Sequence, residues 1–363
     1  MTGGLFIVDE VHSYDPHTTA LILESLKYLK EEYKAEIFIM SATLPEFLKK
    51  LFIEELNIKA LIEPKKEELK KIVRHKVLVT EGDVFSNIDK IIKDIKESKK
   101  VLVVCNTVDR AQKVYNELKD YTSKSALLHS RFILKDRERI EKSLDKVQLL
   151  VGTQAIEVSL DIDFDVLYTE PAPIDALIQR FGRVNRRGVK GISPVYIFSQ
   201  GSCEDKFVYK NQKVVSKTLE LLSKCDTLSE DLIQNLVNEV YKDGYIDKDY
   251  EEFLKAKDSF RNVISQLYPF IENKYLKEEF YELFDNREVV PYMFEEEYIN
   301  KIKNKEYFEA AGYVVGISQG RYVALKKQGL IEDKGYDVDF VYCKYDKDLG
   351  LLIDKPYDNV FTT

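Results

Sequence analysis

The sequence contains no tryptophan, and only four cysteines and four histidines among its 363 residues. The cysteines are scattered without the paired spacing of a structural metal site, which indicates reduced cytosolic thiols. No apolar run approaches the ~18 residues that a membrane span needs, and no signal peptide precedes the first apolar segment. These features argue against a disulfide-stabilised secreted protein and against a membrane protein, and they predict a cytoplasmic location.

The composition, 44% apolar and 33% charged, is typical of a soluble globular protein, and the length predicts two or three domains. The net charge is −8, but the acidity is uneven. Residues 1–200 carry 32 Lys and Arg against 31 Asp and Glu, whereas residues 201–363 carry 23 against 32. A groove for a single nucleic-acid strand needs only a local positive lining, so the overall charge excludes little.

Through residue 200, short β-branched apolar runs alternate with amphipathic stretches, which is typical of a parallel α/β sheet. The predicted strands are 4–9, 36–40, 72–79, 101–105, 125–129, 147–151, 165–169 and 194–198. The predicted helices are 17–33, 45–55, 85–98, 108–120, 133–145 and 173–181. Asp15-Pro16 suits the start of the first helix, and the Lys/Glu-rich stretch from Glu63 to Lys71 predicts a linker.

Beyond residue 200 the alternation ends. Residues 205–310 predict mainly helices, and residues 311–363 contain three strand-like runs, at 313–315, 322–325 and 338–342. Sixteen of the 23 tyrosines lie in this part. Tyrosines can stack on single-stranded bases, but an aromatic-rich helical region is more often simply a core, and both interpretations stay open.

An acidic pair, Asp9-Glu10, ends the first apolar run and is followed by Val11-His12. A buried parallel strand delivers carboxylates to its C-terminal edge, where phosphates bind in open α/β sheets. One acid can hold Mg²⁺, usually through water, and the other can orient or deprotonate an attacking water. The alternative is a solvated turn between a strand and a helix.

Polar segments follow several other predicted strands. Ser41-Ala42-Thr43 follows the second strand and can hydrogen-bond the acidic strand end beside it. Asn106-Thr107 and His129-Ser130-Arg131 supply donors that could hold backbone phosphates. For all three segments, helix capping is the ordinary alternative.

The stretch from Gly152 to Asp163 is more unusual. Gly152 and Thr153 end a buried strand and offer backbone N–H groups and a hydroxyl to a phosphate, and Gln154 follows them. Asp161 is close enough to turn back toward a nucleotide or toward an arginine across a cleft. These residues predict a functional loop.

The strongest pattern is Gln179-Arg180-Phe181-Gly182-Arg183-Val184-Asn185-Arg186-Arg187-Gly188, with four arginines in eight residues. Arg183 and Arg186 are three apart, so on a helical turn they would project from one face. Two guanidinium groups aimed together can clamp a triphosphate and stabilise charge on the transferred phosphoryl. A basic helix end that complements the dipole would explain neither Gln179 nor the glycines.

Taken in order, D-E-V-H, S-A-T, G-T-Q-A-I-E-V-S-L-D-I-D and Q-R-F-G-R-V-N-R-R-G resemble motifs II, III, V and VI of superfamily 2 helicases. The last two segments more narrowly resemble the CRISPR-associated helicase–nuclease of type I systems, an ATP-driven translocase on single-stranded DNA. The resemblance covers roughly residues 4–200. It implies part of a first RecA-like domain (1–70), a complete second one (71–200), a helical linker or accessory region (201–310) and a small β-containing C-terminal domain (311–363).

The resemblance also implies roles for individual residues. Asp9 would hold Mg²⁺, Glu10 would activate the hydrolytic water, and Arg183 and Arg186 would be arginine fingers beside Gln179 at the ATP site. The expected site also includes Gly152 and Asp161 on the nucleotide side. The residues expected to couple hydrolysis to motion are His12, Ser41 and Thr43. Those expected nearer the nucleic acid are Thr107, Thr153 and Gln154.

Two departures accompany the resemblance. No G-x-x-x-x-G-K-[ST] occurs, so the Lys and the hydroxyl that hold the phosphates and Mg²⁺ are missing, and the family's His-Asp nuclease domain is missing too. We therefore expect a fragment, a split gene product or a truncated reading frame. Its expected partners are single-stranded DNA, a Cascade-type surveillance complex, a separate His-Asp nuclease subunit and the missing N-terminal half, and the expected direction is 3′ to 5′. The alternatives are another superfamily 2 helicase, for repair or RNA, and a non-catalytic scaffold that binds nucleic acid.

Overall fold

The structure is a computed structural model that describes residues 2–11, 15–157, 160–266 and 286–357. His12 therefore lies outside the described residues, as does part of the predicted helical region. Among the described ranges, no helix combines the length and the apolarity that a bilayer crossing requires.

The strands, in chain order, are β1 (Leu5–Val8), β2 (Glu36–Ile39), β3 (Val73–Thr80), β4 (Val101–Val104), β5 (Ser125–Leu128), β6 (Leu149–Gly152), β7 (Val166–Thr169), β8 (Ser193–Phe198), β9 (Thr227–Ser229), β10 (Asn286–Pro291), β11 (Val315–Ser318), β12 (Ile331–Glu332), β13 (Asp339–Val341), β14 (Cys343–Asp346) and β15 (Gly350–Pro356). The helices are α1 (Pro16–Tyr33), α2 (Glu46–Leu56), α3 (Lys66–Leu69), α4 (Ile88–Lys96), α5 (Val108–Leu118), α6 (Leu134–Glu141), α7 (Ile174–Phe181), α8 (Asp205–Val208), α9 (Gln212–Leu222), α10 (Glu230–Val240), α11 (Asp247–Ser265), α12 (Glu295–Lys303), α13 (Tyr307–Ala311) and α14 (Gln319–Lys327). All eight strands predicted before residue 200 form, and the α/β class is confirmed.

The first unit is a pair of parallel strands, β1 and β2, covered on one face by helices. Its α1 begins where the sequence predicts, because Asp15 accepts a hydrogen bond from the Thr18 amide at 2.7 Å and Pro16 occupies the first turn. The other face of the two strands is exposed and mainly apolar, with Glu36 opposite Leu5 at one end. The exposed fractions there are 61% for Leu5, 59% for Ile7, 46% for Phe38 and 38% for Met40.

The long helix α11 packs on α1, although residues 34–246 separate the two in sequence. Its residues Phe253, Ala256 and Phe260 are buried in the core of the first unit. Beside them, Arg261 binds both carboxylate oxygens of the buried Glu24, at 2.7 and 2.9 Å. The chain thus returns to its first unit after it has completed the second.

The second unit is a seven-stranded sheet with the order β5-β6-β4-β7-β8-β3-β9. Six strands are parallel, and β9 adds to one edge in the antiparallel direction. Every residue of β4, β6 and β7 is buried, as expected for central strands covered on both faces. The addition of β9 and the packing of α11 both cross the predicted boundary at residue 200, and the division into four domains stays a prediction.

The C-terminal part forms a four-stranded sheet of order β11-β10-β13-β12 and a hairpin, β14–β15. The prediction of a strand at 322–325 is wrong, because these residues lie within α14. Ser318 caps this helix by accepting a bond from the Arg321 amide, and only Leu325 of the helix is buried. The β-like Tyr-Val-Ala-Leu run is therefore one side of a mostly exposed helix.

The hairpin turn packs on the second unit. The Leu349 carbonyl accepts a bond from Gln112 Nε2 at 2.6 Å and lies 3.1 Å from His129 Nε2. The Leu351 amide donates to the Arg131 carbonyl at 2.9 Å. Gly350 has a φ of +72°, and a Cβ there would lie 2.7 Å from the Arg131 carbonyl oxygen, so this contact requires glycine.

We predict that His129 makes this arrangement sensitive to acid. Burial lowers the pKa of His129 to about 3, and the charge of Arg131 acts in the same direction. In the unfolded chain the pKa of this histidine is ~6.5. Between pH 3 and pH 6.5, unfolding is therefore accompanied by the uptake of one proton at His129. The stability from a neutral His129 is therefore complete above pH 6.5 and falls by about 1.4 kcal/mol per pH unit below it.

Urea unfolding at pH 7.5 and pH 5, followed by tyrosine fluorescence, measures this effect against His129→Gln. The wild-type protein should lose more stability on acidification than the variant. The buried His75 is present in both proteins and contributes equally to their losses. Equal losses in the two proteins would show that His129 does not carry the effect.

Candidate functional site

The acidic pair ends β1 in a constrained turn. Glu10 has a φ of 55°, in the left-handed region that residues other than glycine rarely adopt. The next residue, Val11, is fully buried in the core of the first unit and anchors this turn. Asp9 is exposed, and its Oδ1 accepts a bond from the Glu10 amide at 2.9 Å. Strained backbone of this kind concentrates at functional sites.

The two units meet at this turn. In α7 of the second unit, Gln179 directs its Nε2 to Glu10 Oε2 of the first unit, at 3.4 Å. Two sequence-predicted residues that lie 169 positions apart are thus brought together.

Arg183 lies beside this contact and is buried. Its Nη1 donates to the Leu160 carbonyl at 2.6 Å and its Nη2 donates to the Glu157 carbonyl, while its Nε has no partner among the described residues. Burial lowers the pKa of the Arg183 guanidinium and the charge of Arg186 adds to this effect, whereas Glu10 opposes it. A buried donor without a partner is uncommon in folded proteins.

Arg186 is turned the other way. Its Nε forms an ion pair with Asp161 Oδ1 at 3.2 Å, and both side chains are largely exposed. The expectation of one shared helical face is wrong for Arg183 and Arg186, because α7 ends at Phe181 and both residues lie in the turns that follow. Of the two possibilities for Asp161, the structure has it bound to an arginine.

The Ser41–Thr43 turn follows β2 and leads into α2. Its residues do not cap that helix, since the capping position is Pro45, which makes no side-chain cap bond. Thr43 is buried, and its Oγ1 has no partner among the described residues. The capping alternative is thus not realised at this segment, and the coupling role of Ser41 and Thr43 stays a prediction.

The residues predicted nearest nucleic acid lie on the C-terminal edge of the large sheet. Thr107 caps α5, accepting from the Arg110 amide at 3.3 Å, so the capping alternative is realised there. Thr153 is buried, and Gln154 Nε2 donates to the Asn106 carbonyl at 3.1 Å. A Cβ on Gly152 would lie 2.7 Å from the Leu128 carbonyl oxygen, so the end of β6 requires glycine for packing.

His129 and Arg131 do not offer free donors at this edge. His129 is buried, its Nε2 faces the Leu349 carbonyl, and it stacks on Phe132 with ring centroids 4.5 Å apart. Arg131 is buried too, and its guanidinium is paired with Asp109. The interpretation of His129 and Arg131 as phosphate contacts is therefore wrong, since the Leu349 carbonyl of the C-terminal hairpin occupies one side chain and Asp109 of α5 occupies the other.

Arg180 is the residue that sequence reasoning missed. It is fully buried, and its Nε forms an ion pair with Glu157 Oε1 at 2.8 Å. Its remaining nitrogens donate to Thr169 Oγ1 at 2.7 Å, Tyr209 Oη at 2.8 Å and Asn106 Oδ1 at 3.1 Å. One guanidinium thus joins α7, the end of β7, the loop after β6 and the segment after residue 205. An arginine among the apolar positions of an amphipathic helix is the signal that could have identified it.

A second buried group continues this network. Glu170 accepts from the Asn106 amide at 2.7 Å and is paired with Arg110, and Asn106 Nδ2 donates to Asp205 Oδ2 at 2.7 Å. Burial raises the pKa of Glu170 to about 7. These contacts fix Asn106, one of the polar residues that follow a sheet strand.

The donor set fits one side of a magnesium nucleotide. Carboxylate oxygens such as those of Asp9 and Glu10 are ligands that Mg²⁺ prefers, and the unpartnered Nε of Arg183 can donate to a phosphate. No cluster of three or more metal-ligating side chains occurs in the ranges that the structure describes, so water and phosphate would have to complete the coordination. The acids and arginines fit the group, while the sequence contains no phosphate-binding loop.

Comparisons with known proteins show which proteins the chain is similar to. A family model described as "CRISPR-associated nuclease/helicase Cas3, C-terminal" matches residues 97–189. The CRISPR-associated nuclease/helicase Cas3 of Methanothermobacter thermautotrophicus is 31% identical over 285 residues, which cover 72% of this chain and 34% of that protein. The chain thus spans about a third of the length of this relative.

Solved structures show the same fold. The crystal structure of T. fusca Cas3 with AMPPNP superposes with a TM-score of 0.70 at 16% identity, over 97% of this chain and 54% of that one. A chain in a CRISPR RNA-guided surveillance complex, captured before nicking, superposes with a TM-score of 0.64 at 17% identity, over 95% of this chain and 56% of that one.

We predict that Arg180→Ala lowers the free energy of unfolding by about 3 kcal/mol or more, because the buried Glu157 carboxylate loses its counter-ion. Arg180→Lys should recover little, since an ammonium cannot reproduce the planar fork of donors. Guanidinium unfolding followed by tyrosine fluorescence measures the change. Arg187→Ala is the matched control, because this neighbouring arginine is exposed and should cost no more than about 0.5 kcal/mol.

Proposed function

Since the chain belongs to the Cas3-type superfamily 2 helicases, whose C-terminal portion it matches, we propose that it supplies part of an ATP-dependent DNA translocase. In the intact protein it would move along single-stranded DNA and unwind target DNA during type I CRISPR interference. The observation that carries the proposal is the contact between Gln179 and Glu10, at 3.4 Å. It joins the acidic turn of one unit to the arginine-rich segment of the other, as a site in a cleft between two units requires.

In the proposed ATP site the first unit contributes the acids and the second unit contributes the arginines. Asp9 would hold Mg²⁺ through water, and Glu10 would orient and deprotonate the attacking water. Arg183 and Arg186 would bring positive charge to the transferred phosphoryl from the opposite side, with Gln179 linking the two sets. When bound, the Mg²⁺ ion neutralises charge on the phosphates. Arg186 must first leave Asp161, and the exposure of this ion pair keeps that step inexpensive.

The apolar face of β1 and β2 supports a larger first unit. Leu5, Ile7, Phe38 and Met40 form a contiguous exposed patch on one side of a two-stranded sheet, an arrangement that parallel sheets in α/β proteins do not leave open to water. We infer that the remainder of a RecA-like domain, carrying the phosphate-binding loop, covers this face in the intact enzyme.

The nucleic-acid contacts follow from the sheet edge. Thr107, Thr153 and Gln154 lie where the strands of the second unit end, and we propose that this edge, which their hydrogen bonds and packing shape, lies nearer the single DNA strand. Ser41 and Thr43 would couple ATP hydrolysis to motion between the two units. The proposed partners of the intact protein are a Cascade-type surveillance complex and a His-Asp nuclease, the latter as a domain or as a separate subunit.

We predict that this chain alone hydrolyses ATP negligibly, because its sequence has acids and arginines but no loop to hold the phosphates. Phosphate release is to be measured with the purified chain, with and without single-stranded DNA. Turnover stimulated by DNA would contradict the proposed division of the site.

The intact enzyme tests the other half of the proposal. We predict that joining the chain to the N-terminal part of a Cas3 relative restores ATP turnover, and that Arg183→Ala then lowers kcat by about 10³-fold. Arg187→Ala is the control and should leave kcat unchanged. Turnover that survives Arg183→Ala would show that this arginine does not act on the phosphoryl group.

A further inference from the structure

We propose that α10, with Tyr241 at its end, is a coupling element that ties the Ser41–Thr43 turn of the first unit to α7 of the second. Its working residues are Gln234, Asn238 and Tyr241. The inference rests on the proposed function and deepens it. It assigns to a helix outside the helicase-like motifs the task of positioning the acidic turn of the first unit relative to the arginines of the second.

The inner stripe of α10 makes it part of the second unit. Its buried apolar residues pack in the same core as the seven-stranded sheet, and they are Ile233, Leu236, Val237 and Val240. Gln234, Asn238 and Tyr241 follow one another at four and three residues, so they form a polar edge along one side of the helix. Gln234 and Asn238 face the first unit, and Tyr241 lies between the first unit and α7.

Two residues of the edge bind the start of α2. Asn238 Oδ1 accepts the bond of the Glu46 amide at 3.0 Å, and Gln234 Nε2 donates to the Leu44 carbonyl at 3.0 Å. Since Pro45 makes no cap bond, Asn238 supplies the missing cap to α2 from the other unit. Leu44 directly follows Thr43, so these bonds hold the C-terminal end of the Ser41–Thr43 turn.

Tyr241 binds the opposite side of the cleft. Its hydroxyl donates to Asp175 Oδ1, in the first turn of α7. Asp175 and Gln179 are four residues apart and share a face of that helix, and Gln179 is the residue that reaches Glu10. The Tyr241 ring also packs on Phe47 of α2, with centroids 6.1 Å apart.

The polar edge therefore spans the two segments that ATP would draw together. If the Ser41–Thr43 turn shifts relative to α7, the bonds of Asn238 and Gln234 at one end or that of Tyr241 at the other must change. Besides the ring packing of Tyr241 on Phe47, the directional bonds to the start of α2 and to the Asp175 carboxylate set one relative position of the two segments.

The test uses the intact enzyme, with the N-terminal part supplied, and measures ATP hydrolysed per base pair unwound. Asn238→Ala and Gln234→Ala should retain the KM for ATP, while the ATP consumed per base pair rises at least about fivefold, the factor expected from losing one cap bond. Asn235→Ala is the matched control on the same helix, because Asn235 is exposed and, among the residues that the structure describes, its side chain bonds to Asp231 of its own helix. Asn238→Asp keeps an acceptor oxygen and should restore the wild-type ratio.

The outcomes separate the two proposals. If the wild-type enzyme neither hydrolyses ATP nor unwinds DNA, the proposed function fails, and the coupling role fails with it. If the wild-type enzyme is active and Asn238→Ala keeps its ratio, the coupling role alone is overturned.

Hydrogen exchange on this chain without nucleotide tests the contact itself. The Glu46 amide should exchange about fivefold faster in Asn238→Ala than in the wild type, and at the wild-type rate in Asn235→Ala and Asn238→Asp. An unchanged rate in Asn238→Ala would overturn the proposed cap. Faster amide exchange along the whole of α10 would show instead that Asn238→Ala had lost its fold. In that case the ATP consumed per base pair by Asn238→Asp and by Tyr241→Phe decides the question.

Discussion

A fully buried guanidinium must find partners for all its donors, and in this protein that requirement determines the arrangement at the C-terminal edge of the large sheet. Arg180 satisfies it with Glu157, Thr169, Asn106 and Tyr209, which come from four separate parts of the chain. Because these partners surround the C-terminal ends of the strands, they fix α7 at one position above the sheet. Gln179 and Arg183, on either side of Arg180, are aimed by the same constraint.

The chain path distributes its later parts between the two units. Helix α11 is joined to the first unit by Glu24 and a shared apolar core, while the C-terminal hairpin is bound to the second by Gln112, His129 and Arg131. Each side of the proposed cleft is therefore built from segments distant in sequence. Relative motion of the units would carry α11 with the acids and the C-terminal sheet with the arginines.

Periodicity and β-branched runs were sufficient to predict the sheet up to residue 200, because buried parallel strands such as β4 and β6 are apolar throughout. The acids and arginines were recognisable as short polar segments at strand ends. The helix at 322–325 was missed because its cap, Ser318, lies outside the β-like run. Tertiary partners decided the rest. Neither the attachment of α11 to α1 nor the burial of Arg180 follows from local pattern. The sequence also could not show whether Thr107 caps a helix or contacts a phosphate.

The return of α11 has a consequence for how the units are held together. The backbone passes from the first unit to the second near residues 57–72, returns before α11 and must leave again to reach β10. The two units are thus joined by connections of a few residues to a few tens of residues. The length of these connections sets the effective concentration of one unit around the other. A single cut in the exposed stretch around Leu61 and Ile62 would leave the units linked by the remaining crossings. In the proposed ATP cycle, the interface between the units can therefore be weak enough to open without separating them.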